Sequence, residues 1–152
     1  MVDGNPGAVR PAREALVAFA INMAFSAAFF LGVFGTEKAQ IGWCAPDGLA
    51  FDFLPQSIAV ALMSATVPVF VLRTRRGQAG LAVPAIGRIV SSALALAACA
   101  GGVGYGAFLL AVQTCGAIGW TTALALKLAY GGCLGAGVAT LAVGRAFPSD
   151  AG

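Results

Sequence analysis

Four long apolar runs separated by short polar stretches dominate this chain of 152 residues. Each run is long enough to cross a bilayer as a helix. Spanning the hydrocarbon core takes about 20 residues at roughly 1.5 Å rise each, and backbone groups inside lipid must be paired within the helix. The runs cover approximately residues 15–35, 54–72, 89–112 and 118–143. They predict an all-α, polytopic integral membrane protein, a single membrane domain over 1–152 in which four transmembrane helices form an antiparallel bundle. With 59% hydrophobic and 10% charged residues, the chain has too little polar surface for a soluble domain of this length. The first run follows Arg10 and Arg13, as a signal peptide would. It continues through Phe29, Phe30, Leu31 and Phe34, past the ~7 to 15 residues of a signal core, and no clean small-residue cleavage site follows. It reads as an uncleaved anchor.

The arginines give an orientation. Arg10 and Arg13 precede the first run, Arg73, Arg75, Arg76 and Arg88 flank the 73–88 connection, and Arg145 follows the fourth run. By the positive-inside rule these segments, and both termini, are expected in the cytoplasm. The opposite side receives the 36–53 loop, with Lys38 beside Glu37, Asp47 and Asp52, and the uncharged turn from Thr114 to Ala117. Arginine preferred over lysine, with abundant Ala, Gly and Val, fits a GC-rich bacterial genome and an inner (cytoplasmic) membrane. The net charge of +3 does not point to nucleic acid, because the basic residues sit at helix ends without interleaved aromatics.

Lipid tails are as apolar as leucine, so membrane helices associate through small residues that let backbones approach and through polar side chains that find partners. In the fourth run Gly119, Ala123, Lys127, Gly131, Gly135 and Ala139 recur every four residues on one face. The third run carries Ala98, Gly102 and Gly106 at the same spacing, which predicts a close hairpin of the last two helices. Ser57, Ala61 and Ala65 form a shorter version in the second run. The first run, with Phe19, Phe25, Phe29, Phe30 and Phe34, is expected to face lipid or fill grooves. Pro55 suits a first helical turn, with Asp52 before it as a cap. Pro68 frees the carbonyl of Ser64 and predicts a static kink, with Ser64 or Thr66 compensating.

Lys127 is the one ionisable residue well inside an apolar run. It lies seven residues past Trp120, roughly 10 Å below the boundary at 1.5 Å per residue. An unpaired lysine at the bilayer centre costs about 2.5 to 3.5 kcal/mol on insertion scales, so its place on the small-residue seam predicts an interior partner rather than snorkelling. The candidates are Asn22 and Ser26 on the first helix, Gln56 on the second, and Asp52 at the outer mouth. Such a site would hold an anion, fix subunit association, or form a structural ion pair. Asn22, one turn from Ser26, reads as interhelical glue. Four helices and the acid Glu14 resemble the small multidrug-resistance transporters, in which a glutamate within the first helix is shared between substrate and protons. Glu14 here neighbours Arg13 before the apolar run begins, so an exchange site of that kind is not expected and the family is not adopted.

Of four cysteines, Cys44 and Cys115 fall in the two outer segments and form a candidate disulfide in an oxidising periplasm, whereas Cys99 and Cys133 read as small packing residues. The chain has no histidine, no C-x-x-C pair, no phosphate-binding loop and no nucleophile elbow. No catalytic, cofactor or metal site is expected, and the chain does not read as an enzyme. In the 36–53 loop Trp43, Phe51 and Phe53 are expected at the membrane interface around a turn at 45–48. The expected function is association, as a homo-oligomer or as an accessory subunit of a membrane complex, with lipids and other membrane subunits as partners. The alternative is a small transporter or channel in which Lys127 lines a polar route.

Overall fold

The computed structural model describes residues 11–36, 39–44, 48–113 and 116–148. It is built from four helices: α1 (Pro11–Phe34), α2 (Phe53–Gln78), α3 (Ile86–Gln113) and α4 (Trp120–Ala146). All four are long and apolar enough to cross a membrane. A short 3-10 turn (Leu49–Asp52) leads into α2, and two three-residue strands, β1 (Gln40–Gly42) and β2 (Ala117–Gly119), pair antiparallel with Ile41 opposite Ile118.

The helices overrun the apolar stretches chiefly at one end. α2 continues to Gln78, so Arg73, Arg75 and Arg76 lie on its last turns, where cations are favoured by the helix dipole. It ends at Gly80, whose φ of 71° is the left-handed conformation that glycine adopts without strain. Leu81 N–H donates to the carbonyl of Arg76, and Gly80 N–H to that of Gly77, the paired bonds of a glycine-terminated helix. The helix runs unbroken through Pro68, with Thr66 Oγ1 donating to the Leu62 carbonyl.

Packing departs from the sequence expectation in a specific way. α1 lies most extensively against α4, α2 against both α3 and α4, and α3 has little contact with α4. The reason is visible on α1, where Ala18, Asn22, Ser26, Phe30 and Phe34 are all buried at a spacing of four. That stripe matches the α4 seam of Ala123, Lys127, Gly131, Gly135 and Ala139, which is buried too. A side chain at Gly131 would strike Ser26 Oγ, and one at Gly135 would strike Asn22, so these glycines make room for α1's polar groups. Helix α1 is therefore a core element, although Phe25 and Phe29 do point outward.

The corresponding correction falls on α3. Ala98 and Gly102 are exposed, Gly106 is half-buried, and no atom stands within 4 Å of where a Cβ would be at either glycine. The contact face of α3 is instead Ala93, Ala97, Ala100 and Gly104. At Gly104 a Cβ would lie 2.9 Å from the carbonyl oxygen of Phe53, so the missing side chain lets the α2 backbone approach. The predicted α3–α4 hairpin seam is thus left unused within the chain.

Two apolar clusters hold the ends. One joins α2, α3 and α4 around Ala61, Val69, Leu96, Val138 and Phe147. The other gathers Phe30, Phe34, Ile41, Leu49, Phe53 and Ala123, with Trp43 and Trp120 packed on it. The segment between α1 and α2 is thereby a cap on the bundle rather than an interfacial skirt. Trp43 is partly buried in that cluster, while Phe51, half-exposed, packs edge-on to Phe108. The β1–β2 ribbon fastens the cap to the start of α4, helped by Trp120 Nε1, which donates to the Gly35 carbonyl at 2.8 Å.

Candidate functional site

Three polar rungs cross the interior, each built from residues that hydropathy alone would exclude. Under the cap, Lys127 Nζ lies 2.6 Å from Asp52 Oδ2, with the lysine side chain fully buried and the aspartate 9% exposed. Neither atom has a further hydrogen-bond partner among the described residues. The ammonium also sits 4.8 Å from the centre of the Phe53 ring, within reach of a cation–π attraction. Asp52 gains its position from the 3-10 turn, which delivers it directly to the start of α2 and opposite the second turn of α4.

One turn further along α2, Gln56 Nε2 donates to Ser26 Oγ of α1 at 2.8 Å, in the space left by Gly131. The other amide atom, Gln56 Oε1, is buried without a partner among the described residues. The third rung is Asn22 Nδ2, which donates to Ser64 Oγ at 2.8 Å and to the Ala18 carbonyl at 2.7 Å, beside Gly135. Interhelical bonds of this kind contribute about 0.6 kcal/mol on average. Their effect here is mainly to fix register: the 3-10 turn and α2 supply Asp52, Gln56 and Ser64, which α4 must meet at the first and α1 at the other two. Sequence reasoning named Lys127, Asp52, Gln56, Ser26 and Asn22, and the structure brings all five into this one line.

It overlooked Tyr130. The Tyr130 hydroxyl and Ser57 Oγ are 2.6 Å apart, and Ser57 Oγ also lies 2.5 Å from the Phe53 carbonyl it donates to. The Tyr130 ring stands edge-on to Phe53 at 4.9 Å, so the same aromatic pair shields the ion pair and anchors α4 to α2. The available signal was its spacing: Tyr130 follows Lys127 by three residues, the helical neighbour on the same side.

Beside the rungs, α1 and α2 diverge. Two cavities, of about 290 and 210 Å³, lie between them and share Asn22 and Met63 on their walls. The smaller includes Ser26 and Gln56; the larger reaches Arg13, Glu14 and Arg75 at the helix ends. Lys127 lines neither cavity. A third space of about 290 Å³ lies at the same end between α2, α3 and α4, with Arg88 and Arg145 on it. Together with Arg73, whose Nε donates to the Pro84 carbonyl, and Arg76, which lies over the Phe147 ring, the described arginines gather at the end of the bundle away from the cap.

Cys44 is a disulfide cysteine, and Cys99 and Cys133 are free thiols. The predicted partner, Cys115, lies outside the described residues, as do Lys38 and residues 45–47 of the expected turn. No protein-family model matches the chain, and no curated protein or solved structure matches it either, so its function rests on the chemistry of its own residues.

Proposed function

We propose that the chain is a multi-pass protein of a bacterial inner membrane that works by association, with a second copy of itself or with another membrane subunit. The observation that carries this reading is the unused seam on α3. Ala98, Gly102 and Gly106 keep the spacing that allows close helix approach, yet face away from the bundle. The buried ion pair belongs to the fold of one chain, so association is assigned to α3 and not to Lys127. Native mass spectrometry after mild detergent extraction tests it: wild type is expected as a discrete multiple of the chain or as a defined complex, and Gly102→Leu as a monomer of unchanged thermal stability. A wild-type monomer under every extraction condition would overturn the proposal.

We place both termini in the cytoplasm, with the bundle antiparallel and the cap outside. The clustering of arginines at one end supports this, as does the meeting of Asn22 with Gly135 and Ser26 with Gly131, which runs in opposite chain directions. In intact spheroplasts an impermeant thiol reagent is expected not to reach Arg75→Cys, and to reach it once the membrane is opened. Labelling of that variant in sealed spheroplasts would reverse the orientation. Cys44 is disulfide-bonded while Cys99 and Cys133 are free, which among the chain's four cysteines supports the Cys44–Cys115 bond.

A second reading, transport of a small solute, is favoured by one observation: Gln56 Oε1 is buried beside the α1–α2 cavities without a partner among the described residues. The polar route in that case runs past Asn22, Ser26 and Gln56, with Lys127 closing its capped end.

A further inference from the structure

At the arginine end, a cavity of about 290 Å³ lies between α2, α3 and α4. Its polar lining is Arg88, Arg145, Ser91 and Ser92; its apolar lining includes Val69 and Ala142. No carboxylate among the described residues pairs with either arginine. Arg88 is held in place by its own chain, Nη2 donating to the Arg145 carbonyl at 2.7 Å, which leaves most of the guanidinium's five N–H donors available. Ser92 Oγ is shielded from solvent and has no hydrogen-bond partner among the described residues. One held guanidinium, a second beside it and an orphaned hydroxyl around one cavity suit an oxyanion that accepts several hydrogen bonds at once. Guanidinium groups recognise phosphate in this way, often through two parallel N–H bonds.

We infer that this cavity binds a phosphate group carried by an anionic phospholipid. The phosphate would accept from Arg88, Arg145 and Ser92, while the apolar part of the lining, with Pro84 and Ala146 partly exposed, suits the start of an acyl chain. The volume lies near the lower end of ligand sites, about 300 Å³, which fits a head group with its tails outside. Basic pockets between membrane helices are a recurrent setting for such head groups. Free phosphate or a soluble phosphate ester shares the chemistry of the polar half but makes no use of the apolar wall.

The inference rests on the membrane placement proposed above, and the test keeps the two separable. Full-length protein is reconstituted in vesicles of phosphatidylcholine with one part in five phosphatidylglycerol, extracted mildly, and weighed by native mass spectrometry. Wild type is expected to retain one phosphatidylglycerol in preference to phosphatidylcholine. Arg145→Gln, which leaves the backbone acceptor of Arg88 intact, and Arg88→Gln are each expected to weaken that retention by about tenfold, the equivalent of one charge-assisted hydrogen bond. Ser92→Ala is expected to weaken it less, and Arg13→Gln, an equal loss of charge at the same end, not at all. If millimolar inorganic phosphate displaces the lipid, the phosphate contacts dominate and the site stands; if only phosphatidylglycerol competes, the acyl wall is part of it. Equal retention of both lipids, or an equal loss in Arg13→Gln, overturns the site while leaving membrane placement intact. Retention of no lipid at all, with a chain that stays soluble without detergent, overturns both.

Discussion

Lys127→Met is expected to destabilise the fold by about 3–5 kcal/mol, the typical penalty for breaking a buried ion pair from one side. Methionine keeps much of the stem, so little packing is lost. What changes is Asp52, which is buried and would be left with an uncompensated charge beneath the aromatic cap. Thermal or detergent-denaturation midpoints in micelles provide the readout. Asp52→Leu is expected to be comparably harmful because it strands the ammonium, whereas the double variant Lys127→Met/Asp52→Leu should recover much of the loss and be more stable than either single variant. The pair is internal to one chain, so the defect should appear at the level of the monomer's own stability. Additive single effects, or a Lys127→Met protein as stable as wild type, would remove Lys127 from the structural role given to it. A stable variant that lost solute flux would instead favour transport.

Gly135→Ala is expected to destabilise by about 1–3 kcal/mol, the usual range for overpacking a filled interior. The new methyl would meet Asn22, including its Cβ 2.9 Å away, and Asn22 cannot swing aside without losing its bonds to Ser64 and Ala18. Helix α1 must then retreat from α4. Gly137→Ala, two residues along the same helix, offers the control: no atom lies within 4 Å of its would-be Cβ, and alanine is the better helix former, so stability should hold or rise slightly. Adding Asn22→Ala to Gly135→Ala should restore part of the loss by removing the obstacle. Equal behaviour of the two alanine variants would mean that α1 does not sit on the Gly131–Gly135 seam.

Much of this architecture was legible in the residues. Each apolar run is a helix, and Lys127, Asp52, Gln56, Ser26 and Asn22 stand out by their polarity in the sequence and are neighbours in the structure. The partners of the seams were less legible. Small residues at every fourth position announce that something can approach closely, but not what, and the short connection after Gln113 made α3 the expected partner of α4. The competing pattern was on α1, where Ala18, Asn22 and Ser26 keep the same period among conspicuous phenylalanines. Two of those phenylalanines, Phe30 and Phe34, extend the stripe into the cap rather than toward lipid. The β1–β2 ribbon gave no local signal at all: three residues are too few to show alternation, and Gly42 and Gly119 are weak strand formers. It exists because the cap brings two segments together.

The closest packing in this molecule joins the first helix made to the last. A ribosome therefore delivers α1 long before the surface that completes it, and releases Asp52 well ahead of Lys127. Through the synthesis of α3 the growing chain carries an acid with no counter-charge, and Asn22 and Ser26 rest on α2 alone. The interior is complete only once α4 has been made. A nascent chain stalled after Gln113 is thus an unfinished object in a chemical sense, with its polar rungs open on one side. The arrival of a single lysine marks the moment at which the acid gains its counter-charge.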